Sequence, residues 1–253
     1  MNNVIDSPPL ILLLSIIVLS LSAWVGASVL RGRRELDSEA REDFGLVLAA
    51  ALTLLGLIIG FTFSMAVNRY DLRKNYEEAE ANAIGTEYLR AELLPAADAA
   101  TTRGLLRRYT DQRVLFYELR DPRDLPRIKM QTEQLQTELW SAVKAPSAAQ
   151  PNTVTALALS GMNDVINSEG YTQAAWWNRI PAAAWVLMGV IAVLCNAMIG
   201  YAAGNPKSRG ILLLVLPFVV SIAFFLIADI DSPRGGIIRV NPQNLLSLAE
   251  SLR

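Results

Sequence analysis

The chain has 253 residues, a formal net charge of −1 and a hydrophobic share of 52%, which is higher than in most soluble domains. A net charge this close to zero argues against a nucleic-acid-binding protein. The absence of His removes the commonest acid–base group and every His-containing zinc site, and a single Cys excludes an intrachain disulfide, so we expect neither an enzyme nor a cofactor.

Four apolar runs dominate the sequence, at 10–30, 44–67, 181–203 and 210–228. Each is close to the ~20 residues that a helix needs to cross a bilayer, and none contains Lys, Arg, Asp or Glu. They predict four transmembrane helices in two hairpins. The predicted division is a first hairpin at 1–67, a helical extramembrane domain at 68–176, a second hairpin at 177–229 and a tail at 230–253.

The middle region reads as helix, and no alternating strand pattern appears in it. One helix should end at Pro95, a second should follow over 99–120 with Asp98 as its N-cap, and a third should cover about 127–144 before a linker at 145–151. A fourth begins near Asn152. The predicted fold class is therefore all-α: an integral membrane protein with four transmembrane helices and a helical extramembrane domain between spans two and three.

The second run changes from apolar to charged with no helix-breaking residue at the change. From Phe44 to Leu94 only tolerable glycines occur, so a single rod of roughly 75 Å is predicted, about half of it in lipid. The helix that starts near Asn152 is a second candidate for such continuation, into the third span, although Gly170 weakens it and Pro181 marks entry into the bilayer.

One face of this rod carries small residues and then polar ones at helical spacing. We call it the seam: Gly56, Gly60, Ser64, Asn68, Asp71, Asn75, Glu78 and Asn82. Small residues four apart allow a close helix neighbour, and the mean spacing of 3.5 from Asn68 to Asn82 is that of a helix–helix interface. The seam either faces a symmetric neighbour or a water-filled axis, with Asp71 and Glu78 as charged rings, or its polar part is an ordinary solvated face.

Two other groups of charged residues can each be interpreted in two ways. Arg69, Arg73 and Glu77 indicate a surface ion pair with headgroup anchoring, or a ring of Arg69 or Arg73 that attracts anions. Asp229 and Asp231, at the end of the fourth run, are candidate ligands for a hard cation, or part of a helix stop in which Arg234 pairs with an aspartate.

The short loops set the predicted orientation. Arg31, Arg33, Arg34 and Arg41 lie between the first two spans, and Lys207 and Arg209 lie in the second hairpin loop. The positive-inside rule then places both loops in the cytoplasm of an inner-membrane protein, with the helical domain and both termini outside.

Five segments resemble a bacterial membrane-protein family known as bestrophin-like. They are "IGFTFSMA", "RYDLR", "EANAIGTEYLRAELLP", "NRIP" and "DIDSPRGGIIRV". The resemblance covers roughly 44–245 and implies similarity to bestrophins, which are pentameric anion channels with four spans, a helical domain between spans two and three, and a pore lined by the second span. In bestrophins that helical domain is cytoplasmic, opposite to the orientation predicted above.

These observations predict an oligomeric ion channel, anion-leaning by resemblance, with its pore around the second span. The predicted pore and seam residues are the eight of the seam together with Arg69. Its partners would be further copies of itself, as a pentamer by resemblance, the lipid bilayer and small inorganic ions. The alternatives are a non-conducting membrane-anchored sensor or interaction protein that uses the exported helical domain, and a membrane enzyme with a metal at Asp229, Asp231 and Glu78.

Overall fold

The computed structural model describes residues 7–30, 37–203 and 206–253, and these residues form helices and turns with no strand. The predicted all-helical fold is confirmed. Arg31, Arg33 and Arg34 of the first loop lie outside the described residues. The helices are α1 Pro8–Val25, α2 Ser38–Arg90, α3 Ala96–Glu118, α4 Leu125–Ala149, α5 Thr153–Trp177, α6 Ala182–Ala202, α7 Pro206–Asp231 and α8 Gln243–Ser251.

Four stretches of the described chain are long and apolar enough to cross a membrane, as the sequence predicts. They are Pro8–Val29, Glu39–Leu93, Thr153–Ala202 and Leu213–Asp231. The third is interrupted between α5 and α6, where residues 178–181 are not helical.

Helix α2 is one uninterrupted helix of 53 residues, about 80 Å long at 1.5 Å per residue. It runs through residue 68 with no break, so the predicted rod is confirmed. It begins before Phe44 and ends four residues before Leu94, in a short 3₁₀ turn at Ala91–Leu93 that precedes Pro95.

The second predicted rod is wrong. Helix α5 ends at Trp177, and α6 begins after Pro181. Proline has no backbone N–H to donate and disfavours the helical conformation of the residue before it, Ile180, so no helix continues through residues 178–181. Gly170 does not break α5.

Of the predicted helix starts, the one near Asn152 is confirmed and the one at Asp98 is wrong. A helix does begin near Asn152, as expected. Asn152 is the N-cap of α5, and its side chain accepts hydrogen bonds from the backbone N–H groups of Val154 and Thr155, each at 2.9 Å. Asp98 is not an N-cap, because α3 starts after Pro95 and places Asp98 in its first turn. Helix α4 also extends to Ala149 through most of the expected linker.

The first of two compact units contains the chain up to Asn68 together with Arg179–Ile238. We call it the membrane unit. Helix α1 packs against α6 and α7. A Cβ at Gly26 would overlap the carbonyl oxygen of Ala197, and one at Gly200 would overlap that of Ala23. The two backbones are therefore in direct contact, the close approach that small residues permit between helices in lipid.

The second unit contains Arg69–Asn178 and Arg239–Arg253. We call it the helical unit. Its core is built from the C-terminal half of α2 and from α3, α4 and α5, with fully buried Leu106, Tyr109, Leu139 and Met162 among its side chains. Helix α8, near the C-terminus, packs against α3 and adds Leu245 to this core.

Candidate functional site

The structure places the whole seam on one exposed face of α2. All eight seam residues are exposed, and Arg69 beside them is partly exposed. A Cβ added at Gly56 or Gly60 would have no neighbouring atom within 4 Å among the described residues. The helix therefore brings these residues into line, and the described part of the chain leaves that line uncovered.

The opposite face of α2 is buried, and the sequence analysis did not predict that its charged residues are buried. In the membrane unit it carries Leu55, Thr62 and Ala66, and in the helical unit it carries four charged residues at spacings of three, four and seven: Arg73, Glu77, Glu80 and Glu87. Each of the four is at most 1% exposed. The signal was available, because these charges continue the helical face of Leu55 and Ala66.

The reading of Arg73 and Glu77 as surface groups is consequently wrong. Charged side chains are rarely fully buried unless they are paired. Because Arg73 and Glu77 lie in a charged run of the sequence, a solvent-exposed face was the favoured interpretation. The tertiary structure instead buries both residues, and Glu77 packs against α8 within the helical unit.

Glu80 is the centre of a buried hydrogen-bond network that joins three helices. The guanidinium of Arg113 on α3 pairs with its carboxylate through two nitrogens. Thr172 on α5 donates to Glu80 Oε2 at 3.1 Å, and Tyr117 on α3 donates to the same oxygen at 3.3 Å. Glu169 on α5 lies 3.7 Å from Arg113 and is the second acid of the network.

The network fixes the charge state of Arg113 and Tyr117. Burial alone lowers the pKa of Arg113, but the adjacent Glu80 carboxylate more than offsets this, so the pKa lies above its ordinary value. Burial raises the pKa of Tyr117, and the negative charge of Glu80 raises it further. Arg113 therefore stays a cation and Tyr117 a neutral donor over the physiological range.

Glu77 holds the C-terminal helix. Its carboxylate accepts hydrogen bonds from the backbone N–H of Leu245 at 2.9 Å and from the side-chain amide of Asn244 at 2.6 Å. Both donors lie in the first turn of α8, where unpaired N–H groups and the helix dipole favour a negative charge.

Asp229 and Asp231 are both buried and both already accept hydrogen bonds. Asp229 accepts from the backbone N–H groups of Ile237 and Ile238 at 2.7 and 2.8 Å. Asp231 accepts from Arg179 Nε at 3.0 Å and from the backbone N–H of Ile180. The residues described contain no group of three or more His, Cys, Asp or Glu arranged to hold a metal ion, and the cation site at these two aspartates stays a prediction.

Comparison with known proteins gives the family. The family model of the Bestrophin-like domain matches residues 13–245, and the chain belongs to the bestrophin-like family, as its sequence motifs predicted. It is thus a multi-pass membrane protein of an ion-channel-like family. No curated protein matches the chain.

Solved structures share the fold across almost the whole chain. A crystal structure of a bacterial bestrophin homologue from Klebsiella pneumoniae matches with a TM-score of 0.63 at 14% identity, covering 95% of this chain and 97% of that one. Two single-substitution variants of that homologue match with TM-scores of 0.64, at 13% and 14% identity, covering 95% and 94% of this chain and 93% and 99% of theirs. At such identities the likeness shows a common fold.

We expect Arg113→Ala to destabilise the helical unit strongly. Removing one partner of a buried pair leaves the Glu80 carboxylate buried without its cation, which costs roughly 3–5 kcal/mol and lowers the melting temperature by roughly 10 °C. Circular dichroism on heating in detergent measures the change. Arg123→Ala is the matched control, because Arg123 pairs with Asp121 at 2.7 Å but its side chain is 91% exposed. Equal melting temperatures for the two variants would contradict a structural role for the network.

Proposed function

We propose that the chain assembles into a homo-oligomer, a pentamer by family resemblance, whose subunits bring the seams of α2 together around a central ion pathway. The protein would be a passive channel for small inorganic ions in the bacterial inner membrane. The observation that carries this proposal is the uncovered seam on a helix that runs without a break from the apolar half to the polar half.

Packing within the subunit supports an oligomer. In the apolar window of α2 only 6% of the residues are buried within the chain, compared with 50% in the last span, Leu213–Asp231. Gly56 and Gly60 in that window each cost about 1 kcal/mol of helix stability relative to Ala, with no contact inside the described chain to offset it. A close helix from a neighbouring subunit is the contact that such glycines permit.

The charged residues in the seam and beside it bear on ion preference. Asp71 and Glu78 are exposed, and as rings in an oligomer they would attract cations, whereas Arg69 would attract anions. The preference for anions in our proposal comes from the family resemblance, and Arg69 is the seam-side residue that would supply it.

The proposed orientation has the short loops in the cytoplasm and the helical unit outside. Of the loop cations, only Arg41 has a described side chain, which is exposed at the start of α2. In a Cys195→Ala background, a cysteine at the exposed Glu133 of α4 should react with a membrane-impermeant thiol reagent in spheroplasts. Reaction only after lysis would reverse the orientation.

Oligomerisation along the seam is tested by cross-linking. In the same Cys195→Ala background, Asn75→Cys should form disulfide-linked or bis-maleimide-linked subunits in membranes, because seam residues of neighbouring subunits face one axis. Glu133→Cys, on α4, is the control and should stay uncross-linked. A monomeric mass in detergent together with no Asn75 cross-link would favour the membrane-anchored sensor or interaction protein instead.

Conduction is tested with purified protein in planar bilayers. We expect unitary currents, and in a salt gradient Glu78→Gln should shift the reversal potential toward the anion value because it removes a ring of negative charge. Arg69→Gln should shift it toward the cation value. Electrically silent, folded oligomers would contradict the channel, and currents with unchanged reversal potentials in both variants would place the pathway elsewhere.

A further inference from the structure

Glu87 is the one carboxylate on the buried face of α2 whose two oxygens make no hydrogen bond within the described part of the chain. The residue is 0% exposed. Its side chain lies against α5 at Gly161, where a Cβ would overlap Glu87 Oε2. Glycine at this position lets the carboxyl group lie directly on the helix backbone, which offers no free N–H in mid-helix.

Two charged groups act on this carboxyl group. Arg90 follows one turn later on α2, and Asp164 lies across on α5; the guanidinium and the Asp164 carboxylate are 3.9 Å apart. Two cations of helix α3, Arg103 and Arg107, donate hydrogen bonds to Tyr88 and not to Glu87. Arg103 Nε donates to the carbonyl oxygen of Tyr88 at 3.2 Å, and Arg107 donates to the Tyr88 hydroxyl at 2.7 Å.

A carboxylate that is buried and has no hydrogen-bonded cation is strongly disfavoured relative to the neutral acid. Burial raises the pKa of Glu87 from 4.5 to about 8; Arg90 opposes this rise, and Asp164 adds to it. Glu80 and Glu77, on the same face, are matched by an arginine and by a helix N-terminus respectively, whereas Glu87 has no hydrogen-bonded partner among the described residues.

We propose that Glu87 is a proton-binding site within the helical unit. While the proton is bound, Arg90 pairs with Asp164. When the proton is lost, the Glu87 carboxylate attracts Arg90 away from Asp164. On deprotonation the proton passes to solvent, and the Glu87 side chain changes from neutral to −1. The new charge lies beside one arginine shared by two acids, so the Arg90–Asp164 pair between α2 and α5 breaks. This site is independent of ion conduction and would exist in a protein that conducts nothing.

The sign of the pH effect follows from the raised pKa. The folded protein holds this proton more tightly than the unfolded chain, so the stabilising contribution is complete below pH 4.5 and is lost as the pH rises through about 8. Alkaline pH should therefore weaken the packing of α2 against α5 around Glu87 and Gly161.

Infrared spectroscopy of the full-length protein in detergent tests the proposal directly. At neutral pH the wild type should show the C=O stretching band of a buried protonated carboxyl group, and this band should disappear with a midpoint near pH 8. Glu87→Gln should lack the band and should lose less melting temperature than the wild type as the pH rises from 4.5 to about 8. Glu133→Gln is the control, because the side chain of Glu133 is 62% exposed, and it should keep the band.

Two neighbouring variants give a graded check. Asp164→Asn removes a negative charge and frees Arg90, so it should move the midpoint to lower pH; Arg90→Gln removes the opposing cation and should move it to higher pH. A wild-type spectrum identical to that of Glu87→Gln at neutral pH would overturn the proposal. If Glu87→Gln does not fold, an unchanged midpoint in Asp164→Asn would overturn it by itself.

Discussion

The unbroken helix α2 is the constraint on which the rest of this structure depends. Its 53 residues include no proline, so every turn keeps its backbone hydrogen bonds from the apolar half into the charged half. Two opposite faces follow from that geometry. One packs against the subunit's own helices and is buried, and the other carries the seam and is exposed. A break near residue 68 would have uncoupled the small-residue half of the seam from the polar half.

The buried face shows how one helix accommodates several carboxylates in a small core. Glu77 accepts hydrogen bonds from the first turn of α8, and Glu80 binds Arg113, Thr172 and Tyr117. Glu87 has neither arrangement. Charged groups at such positions are expensive unless they are matched, so each solution specifies which helix must lie opposite. The network at Glu80 accordingly joins α2, α3 and α5, and Glu77 brings the C-terminal residues into the same unit.

The exposed face connects the fold to the proposed function. Membership of the bestrophin-like family gives the general class, and the single chain shows which face of the second span has no neighbour among the described residues. The seam joins glycines that suit helix contact in lipid to amides and carboxylates that suit water. Asp229 and Asp231 fit a different role in this structure, since their carboxylates accept hydrogen bonds that close the loop after α7 and fix the start of α6.

The sequence by itself determined the four apolar spans, the all-helical class, the continuity of α2 and the alignment of the seam, because span length, helix propensity and residue spacing are local properties. It also identified the helix start near Asn152 and the family motifs. Only the tertiary structure decided that Arg73, Glu77, Glu80 and Glu87 are buried, that α5 stops before Pro181, and that α8 returns to pack on α3. Burial depends on which helix lies opposite, and Arg113, Gly161 and Asn244 are 33, 74 and 167 residues from Glu80, Glu87 and Glu77 respectively. No local pattern encodes those distant pairings.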